Sequence, residues 1–415
     1  MQAVLAIPSL ETLHKLGHGP EFLMQEVAGV PLLVRVLATA ARAGVDSILV
    51  VWPEDLNPAI IARCAKSSSL KGVRVEKLSW ASSFDPSGTD WAAIAARLED
   101  QFLWLPWNWV THKRALAELS PSTIRPVTWD RPMLLKKIAA LEAGLLRVSF
   151  GPLRDGLSVT SSDTIPAAER FLVAHSGKPT DGIYSNFNRR LCRPFVRLLA
   201  HTPATPNQLT IAGLMVAILG ALLFARGSYW NYVAGALLFF GSGLFDEMDG
   251  MIARIKFRES AFGTWFEGLV DNVTYLAVFV GIIAGLHRQY GSWALKWGAA
   301  LIVGCIFSVA VIAWQRTLAT SRERPHEYAG RMNQLMEADS SNLVSTIVRQ
   351  LHIFVKKGVM VHYLLLFTLL GGLPVFLWLA ALGSNLTWII SLYFTHRFFG
   401  RSPLKVADKQ IQTAA

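Results

Sequence analysis

Charge is scarce in this chain. Only 17% of its 415 residues are Asp, Glu, Lys or Arg, where a soluble globular chain carries about a quarter. Acid is scarcer than base: 29 Asp and Glu stand against 40 Lys and Arg, a net charge of +11. Cysteine is nearly absent, and Cys64, Cys192 and Cys305 lie far apart. That excludes a disulfide framework and a thiolate metal site, and suits a reducing compartment. Residues 1–30 contain Glu11, His14, Lys15 and Glu21 and no apolar core of leader length, so no secretory leader is expected. What is abundant is apolar surface. Hydrophobic residues make up 52% and the mean hydropathy is +0.36. A disordered chain is excluded by this, and a single wholly soluble fold is not expected.

The apolar excess is uneven. Residues 1–185 read as a soluble α/β domain with a mostly parallel sheet. The β-rich runs AVLAIP (3–8), SILVVWP (47–53), VRVEKLSW (73–80) and FLWLPWNWV (102–110) alternate with helical stretches at 31–43, 57–66 and 89–99. Gly44 stops the first of these helices and Asn57-Pro58 starts the next. Residues 186–200 form a basic amphipathic segment in which Arg189, Arg190, Arg193 and Arg197 interleave with Phe187, Leu191, Phe195, Leu198 and Leu199. Such a helix lies on an anionic lipid surface, or is an ordinary surface helix of the soluble domain. Residues 201–400 read as an all-α transmembrane bundle of six spans, near 208–225, 231–248, 265–286, 293–314, 358–373 and 375–395. Residues 401–415 read as a tail.

Orientation follows from the basic residues. On the side of the soluble domain, the loops carry Arg254, Lys256, Arg258, Arg316, Arg322, Arg324, Arg331, Arg349, Lys356, Lys357, Arg397, Arg401, Lys405 and Lys409. The opposite loops carry Arg226, Arg288 and Lys296. The soluble domain and both termini are therefore expected in the cytoplasm, with the bundle in a prokaryotic inner membrane. Arg316, Arg322, Arg324 and Arg331 either obey this rule alone or also bind an acceptor phosphate. No nucleic-acid motif occurs, and nucleic acid is not an expected partner.

Acids stand where a membrane protein can least afford them. Asp246, Asp249, Glu267 and Asp271 lie at or just inside the ends of apolar helices, where a carboxylate needs a partner, water or a cation. Asp246 and Asp249 are i, i+3, and Glu267 and Asp271 are i, i+4, so each pair projects from one helix face. If the second and third spans are antiparallel neighbours, all four carboxylates meet. Four oxygen donors without sulfur or imidazole suit Mg²⁺ or Mn²⁺. Gly250, Ala253 and Gly263 keep the nearby walls thin, and the planar fork of Arg254 suits a phosphate oxygen. A phosphoryl-transfer site is the chemistry these parts support. The bland reading pairs the acids with Arg254, Lys256 and Arg258 at a hydrated boundary.

The run Asp246-x2-Asp249-Gly250-x2-Ala253-Arg254-x8-Gly263-x3-Glu267-x3-Asp271 resembles the signature of the CDP-alcohol phosphotransferase family. The Pro206-Asn207-x2-Thr210 segment resembles the family's Pro-Asn-x-x-Thr. One position departs: the family's third acid is Asp and this chain has Glu267. The resemblance implies transfer of a substituted phosphate from a CDP-alcohol to an acceptor hydroxyl with release of CMP. It implies Asp246, Asp249 and Glu267 as metal ligands, with Asp271 sharing a second Mg²⁺ (or Mn²⁺) and acting as general base. It implies Asn207, Thr210, Gly250, Arg254 and Ser260 as contacts of the nucleotide and its phosphates. The expected partners are a CDP-alcohol donor, a hydroxyl acceptor, the lipid bilayer and a second copy in a homodimer.

Gly29-Val30-Pro31-Leu32-Leu33 before a helix, with the strand at 47–53, resembles the sugar-phosphate nucleotidyltransferase fold. Such domains are fused to CDP-alcohol phosphotransferases in bifunctional enzymes that make CDP-inositol and an inositol phosphodiester, and Lys178-Pro179-Thr180-Asp181-Gly182 is similar to their linker. Active members need a glycine-rich loop with Arg after the first strand and an acid after a central strand. Here those places read Pro8-Ser9-Leu10-Glu11-Thr12-Leu13 and Trp107-Asn108-Trp109, so the domain is expected to be degenerate. Two other readings compete with the enzyme: an impaired scaffold of the same fold, and an ion-coupled transporter.

Overall fold

A computed structural model describes residues 2–80, 97, 102–117, 156–177, 182–319, 328–339, 348 and 357–399. Most of the helix expected over 89–99, the linker before Gly182, Arg322, Arg324 and the tail 401–415 lie outside the described residues. The chain divides into two compact units. One is Met1–Pro179 with Cys192–Pro206 and Gly250–Glu259; the other is Thr180–Leu191 with Asn207–Asp249 and Ser260–Ala415.

The first unit is an α/β layer. Strands β1 (Gln2–Ala6), β4 (Ser47–Pro53), β5 (Arg74–Trp80) and β6 (Phe102–Pro106) form one sheet in the order β5-β4-β1-β6. All three pairings are parallel, with Val4 opposite Leu49 and Trp104. A parallel sheet covered on its faces needs continuous apolar strands, and β4 supplies one in Ile48, Leu49, Val50, Val51 and Trp52, all buried. The helix α2 (Leu32–Arg42) lays Leu33, Val36, Leu37 and Ala40 into the same core as Leu5, Ile48 and Val50. It ends where Gly44 takes a φ of +93°, and Asn57 Oδ1 accepts from the Ala59 amide at the start of α3 (Ala59–Ala65).

The apolar run 102–110 is not one strand. It breaks after Pro106, and Trp109–Thr111 forms β7, antiparallel to β8 (Gly156–Ser158). Two short strands, β2 (Glu26–Val27) and β3 (Val30–Pro31), make a hairpin whose turn residues Ala28 and Gly29 have φ of +50° and +73°. A Cβ on Gly29 would stand 2.1 Å from the Ala200 carbonyl oxygen, so the resemblance-bearing glycine is demanded by backbone approach as well as by its turn.

The helix α6 (Ile183–Ala200) follows α4 (Lys113–Ala117) and α5 (Ile165–Ala174). Asn188, Cys192, Val196 and Ala200 form its buried line, while Phe187, Leu191, Phe195 and Leu198 are exposed beside Arg190, Arg193 and Arg197. An exposed apolar stripe flanked by arginines fits a helix lying in a membrane interface.

The second unit is helical: α7 (Pro206–Ala225), α8 (Tyr229–Ile255, through Asp249), α9 (Ala261–Tyr290), α10 (Ser292–Ala319), α11 (Tyr328–Ala338), α12 (Lys357–Leu369) and α13 (Leu373–Phe399). Its core joins Phe224, Phe239, Ile282, Leu301, Leu364 and Phe376. Ala300 and Leu301 of α10 offer carbonyls to Asn385 and Ser384 of α13, a hydrogen-bonded seam suited to an apolar solvent. Among the described residues, four helices are long and apolar enough to cross a membrane: Pro206–Ala225, Ala261–Tyr290, Ser292–Ala319 and Leu373–Phe399. Six helices occupy the places of the six expected spans, but two fall short. The second is polar at Asn231 and again at Asp246, Glu247 and Asp249, and the fifth offers only Val359–Leu369. Four such helices make this an integral membrane protein.

Candidate metal centre

Asp246 and Asp249 sit one turn apart on α8, and Glu267 lies in the second turn of α9. A carboxylate oxygen from each lies within 4.8 Å of the other two. Asp249 is buried and the other two are half-buried. Three carboxylates this close repel one another unless protonated or bridged by a cation, and burial of Asp249 sharpens that penalty. The donor set is all oxygen, which fits a hard divalent cation. Thr210, buried in the first turns of α7, donates its hydroxyl to Asp249 Oδ2. This fixes one carboxylate oxygen of Asp249.

The expected meeting of four acids is met by three. Asp271, half-buried one turn beyond Glu267, is not in the group that closes within 4.8 Å. The longer arm of Glu267 does not take it out of the cluster.

Ser260 caps α9, its Oγ accepting from the Gly263 amide at 3.0 Å. A Cβ on Gly263 would stand 3.8 Å from Asn207 Oδ1, so Asn207, Ser260 and Gly263 are neighbours at the first turns of α7 and α9. This unit also contains an ion pair that sequence reasoning missed. Glu247, inside the acid run, accepts from Arg189 Nε at 2.8 Å and from the Ser185 hydroxyl. Both side chains of the pair are only 10% exposed. Arg189 is therefore not among the exposed arginines of α6. It lies on the buried line next to Asn188, a face that the interleaved basic pattern alone did not separate. The signal was the charge of Glu247, an acid with no role in the signature.

Gly250 and Arg254 belong to the first unit. Arg254 Nε donates to the Ser176 carbonyl. A Cβ on Gly250 would stand 3.3 Å from Arg254 Nη1, so this glycine leaves room for the guanidinium one turn on. The helix then ends in a six-residue cap: Arg258 N bonds to Ala253 O at 2.8 Å and Phe257 N to Arg254 O at 3.3 Å. The left-handed position of that cap, usually glycine, is Phe257 with φ +55°, which costs a side-chain-bearing residue roughly 1–2 kcal/mol.

Around this end lies a cavity lined by Arg35, Thr39, His112, Lys113, Ser176, Arg254, Phe257 and Glu259. Burial lowers the Arg35 guanidinium to about 9, against a smaller opposing effect of Glu169. Burial also lowers His112 to about 4, helped by Arg114, Lys113 and Arg254. Burial pushes the Glu259 carboxyl up, but the hydrogen bond and charge of Lys113 outweigh it and leave the group below its ordinary value. Lys256 is lowered by burial, where its Nζ donates to the Leu199 and Thr202 carbonyls.

Residues 203–381 match the CDP-alcohol phosphatidyltransferase family. The chain is 24% identical over 239 residues to the Bifunctional IPC transferase and DIPP synthase of Aquifex aeolicus, covering 57% of this chain and 50% of that protein. It is 34% identical over 98 residues to the Archaetidylinositol phosphate synthase of Methanothermobacter thermautotrophicus, 23% of this chain and 49% of that one. It is 27% identical over 210 residues to the Phosphatidylinositol phosphate synthase of Streptomyces avermitilis, 49% of this chain and 77% of that one. The chain thus spans about half the length of the first two relatives.

Proposed function

We propose, from the premise that residues 203–381 are a CDP-alcohol phosphatidyltransferase domain, that this protein transfers a substituted phosphate from a CDP-alcohol to an acceptor hydroxyl and releases CMP. The observation that carries the reading is the carboxylate triad Asp246, Asp249 and Glu267, closed within 4.8 Å. Those three residues would hold Mg²⁺ or Mn²⁺, with Asp271 sharing a second ion. When bound, the metal supplies charge neutralisation for the donor pyrophosphate and the departing CMP.

The chain's own residues do the rest. Asp271 takes the proton of the acceptor hydroxyl, whose oxygen attacks the phosphorus that carries the alcohol. The bond from that phosphorus to the bridging oxygen on the CMP side breaks, and CMP leaves with the bond's electron pair. Arg254 pairs with the donor phosphates. Asn207, Thr210, Gly250 and Ser260 line the nucleotide. Thr210 has a second task, since its proton is committed to Asp249.

The donor is either CDP-diacylglycerol or a soluble CDP-alcohol such as CDP-inositol, because the signature reads the CDP half. The relatives' names favour an inositol-bearing participant. The soluble domain and both termini face the cytoplasm, as the basic loops require, and the protein works as a homodimer. The amino-terminal domain is not a nucleotidyltransferase. At the carboxyl end of β1, where a doubly wound sheet receives phosphate, the Leu10 amide is occupied by the Asp55 carboxylate at 2.8 Å. Asp55 is an anion in a phosphate's place.

The test is CMP release by the purified protein from a panel of CDP-alcohols with inositol, inositol phosphate and glycerol phosphate acceptors, with and without Mg²⁺ or Mn²⁺. Metal-dependent release with one donor is expected. No release from any combination refutes the assignment.

A further inference from the structure

The end of a long helix leaves its last carbonyls without intrahelical donors. At the end of α8, charged side chains from the α/β domain supply them. Arg35 Nη1 donates to the Ile255 carbonyl at 3.0 Å, while its Nε and Nη2 donate to Val27 O at 3.0 and 2.6 Å. Arg42 Nη2 donates to Phe257 O at 3.2 Å. Lys113 Nζ spans both oxygens of Glu259, at 3.0 and 3.2 Å. The Ser176 carbonyl receives Arg254 Nε. Ile255, Phe257 and Glu259 are held this way, and Lys256 among them grips the 199–204 turn in return.

The grip is specific in its chemistry. Arg35 is 1% exposed, and its partners are backbone carbonyls, so the planar fork contributes geometry at the cost of burying a cation. Its guanidinium carbon also lies 5.4 Å from the centre of the Phe257 ring. That ring packs against the core of the α/β domain. A bulky residue held left-handed persists only when its surroundings over-determine it, and here the surroundings are the ring's own pocket and the Arg42 bond to its carbonyl. A domain that merely rested against the helix end would need none of this.

We propose that the amino-terminal α/β domain is a brace for the signature, with Arg35 as its central positioning residue: it fixes residues 254–259 and thereby the guanidinium of Arg254. The proposal goes beyond the transfer reaction and rests on it only in taking Arg254 as the donor-phosphate contact. It gives the domain a task that needs no nucleotide chemistry of its own.

The experiment uses the full-length protein in lipid nanodiscs and two readouts, amide hydrogen exchange of peptides covering 250–259 and the KM and kcat for the CDP-alcohol donor. The variants are Arg35→Lys, Lys113→Glu, Glu259→Lys and the double swap Lys113→Glu/Glu259→Lys. Arg35→Lys and Lys113→Glu should each speed exchange over 250–259 by about tenfold, the scale of a lost charge-assisted hydrogen bond. Exchange in β1 and β4 should stay at wild-type rates. Donor KM should rise about tenfold with kcat within about twofold, and the double swap should bring exchange and KM back toward wild type. Wild-type exchange over 250–259 in both Arg35→Lys and Lys113→Glu overturns the brace, as does a double swap that restores nothing. The swap is decisive even where Arg35→Lys loosens the strands as well. If the wild type turns over no CDP-alcohol, the transferase reading fails while the exchange readout still decides the brace.

Discussion

The two units handle charge in opposite ways. In the α/β unit, cations close on carbonyls and on a carboxylate: buried Arg35 on Val27 and Ile255, buried Lys256 on Leu199 and Thr202, half-buried Lys113 on Glu259. Apart from the Arg35–Val27 bond, these join segments far apart in sequence, so charge there holds the chain together. In the helical unit, Asp246, Asp249 and Glu267 are gathered within 4.8 Å, an arrangement that opposes folding unless something positive enters. Glu247 shows the contrast within a few residues. Inside the same acid run, it is neutralised by an arginine, Arg189.

Breaking the gathered set should have the largest effect. Asp249→Asn removes the buried member, and CMP release should fall by about a thousandfold or more, several kcal/mol of transition-state stabilisation. CMP release unchanged in this variant would sink the metal-centre reading. Glu267→Gln should slow CMP release by on the order of a hundredfold at saturating metal, while Glu267→Asp keeps metal-dependent turnover. A nearly silent Gln variant would make Glu267 a bystander. Thr210→Val deletes the hydroxyl that orients Asp249. The Mg²⁺ concentration needed for half-maximal activity should rise roughly 10- to 100-fold, the usual cost of removing an outer partner of a metal ligand. Equal loss at saturating Mg²⁺ would mean that Thr210 acts on the nucleotide instead.

The smallest effect belongs to the other unit and is read as stability. His112 is held near 4 against an ordinary 6.5, so between these pH values the unfolded chain binds more protons than the folded one. Stability is full above pH 6.5 and declines as pH falls toward 4. Glu259, held below its ordinary value, adds its own loss only at lower pH still. Thermal unfolding of the full-length protein followed from pH 7 to 4.5 should show a falling midpoint, and His112→Gln should flatten the fall. An unchanged slope in the variant would mean that other groups govern the acid response.

Much of this contrast was legible in the residues. The run 47–53 is a strand at those bounds because five consecutive apolar residues, three of them β-branched, suit a strand buried on both faces. The carboxylate group could be anticipated because i, i+3 spacing fixes a shared face whatever the surroundings. Other features were not legible. The run 102–110 looked like one strand, yet the chain turns after Pro106 to pair β7 with β8, a choice made by a partner about fifty residues away. Six apolar runs suggested six spans; among the described residues four helices qualify by length and hydropathy, the acids of α8 interrupting its own apolar window and the fifth offering only Val359–Leu369. Arg189 looked like its neighbours on α6 until packing set which face was covered.

The sequence by itself determined the chemical inventory: oxygen donors at helical spacing, a phosphate-sized cation one turn beyond them, and enough apolar length for a bilayer. These follow from local geometry, since helix periodicity fixes which side chains share a face. Only the tertiary structure decided which charges answer which. It brought Asp246, Asp249 and Glu267 within 4.8 Å of one another, and it gave Glu247 to Arg189. It also laid Arg35, Arg42 and Lys113 on the end of the signature helix. Electrostatic and hydrogen-bonding partners are chosen by distances of a few ångströms across the fold, and no spacing along the chain records them.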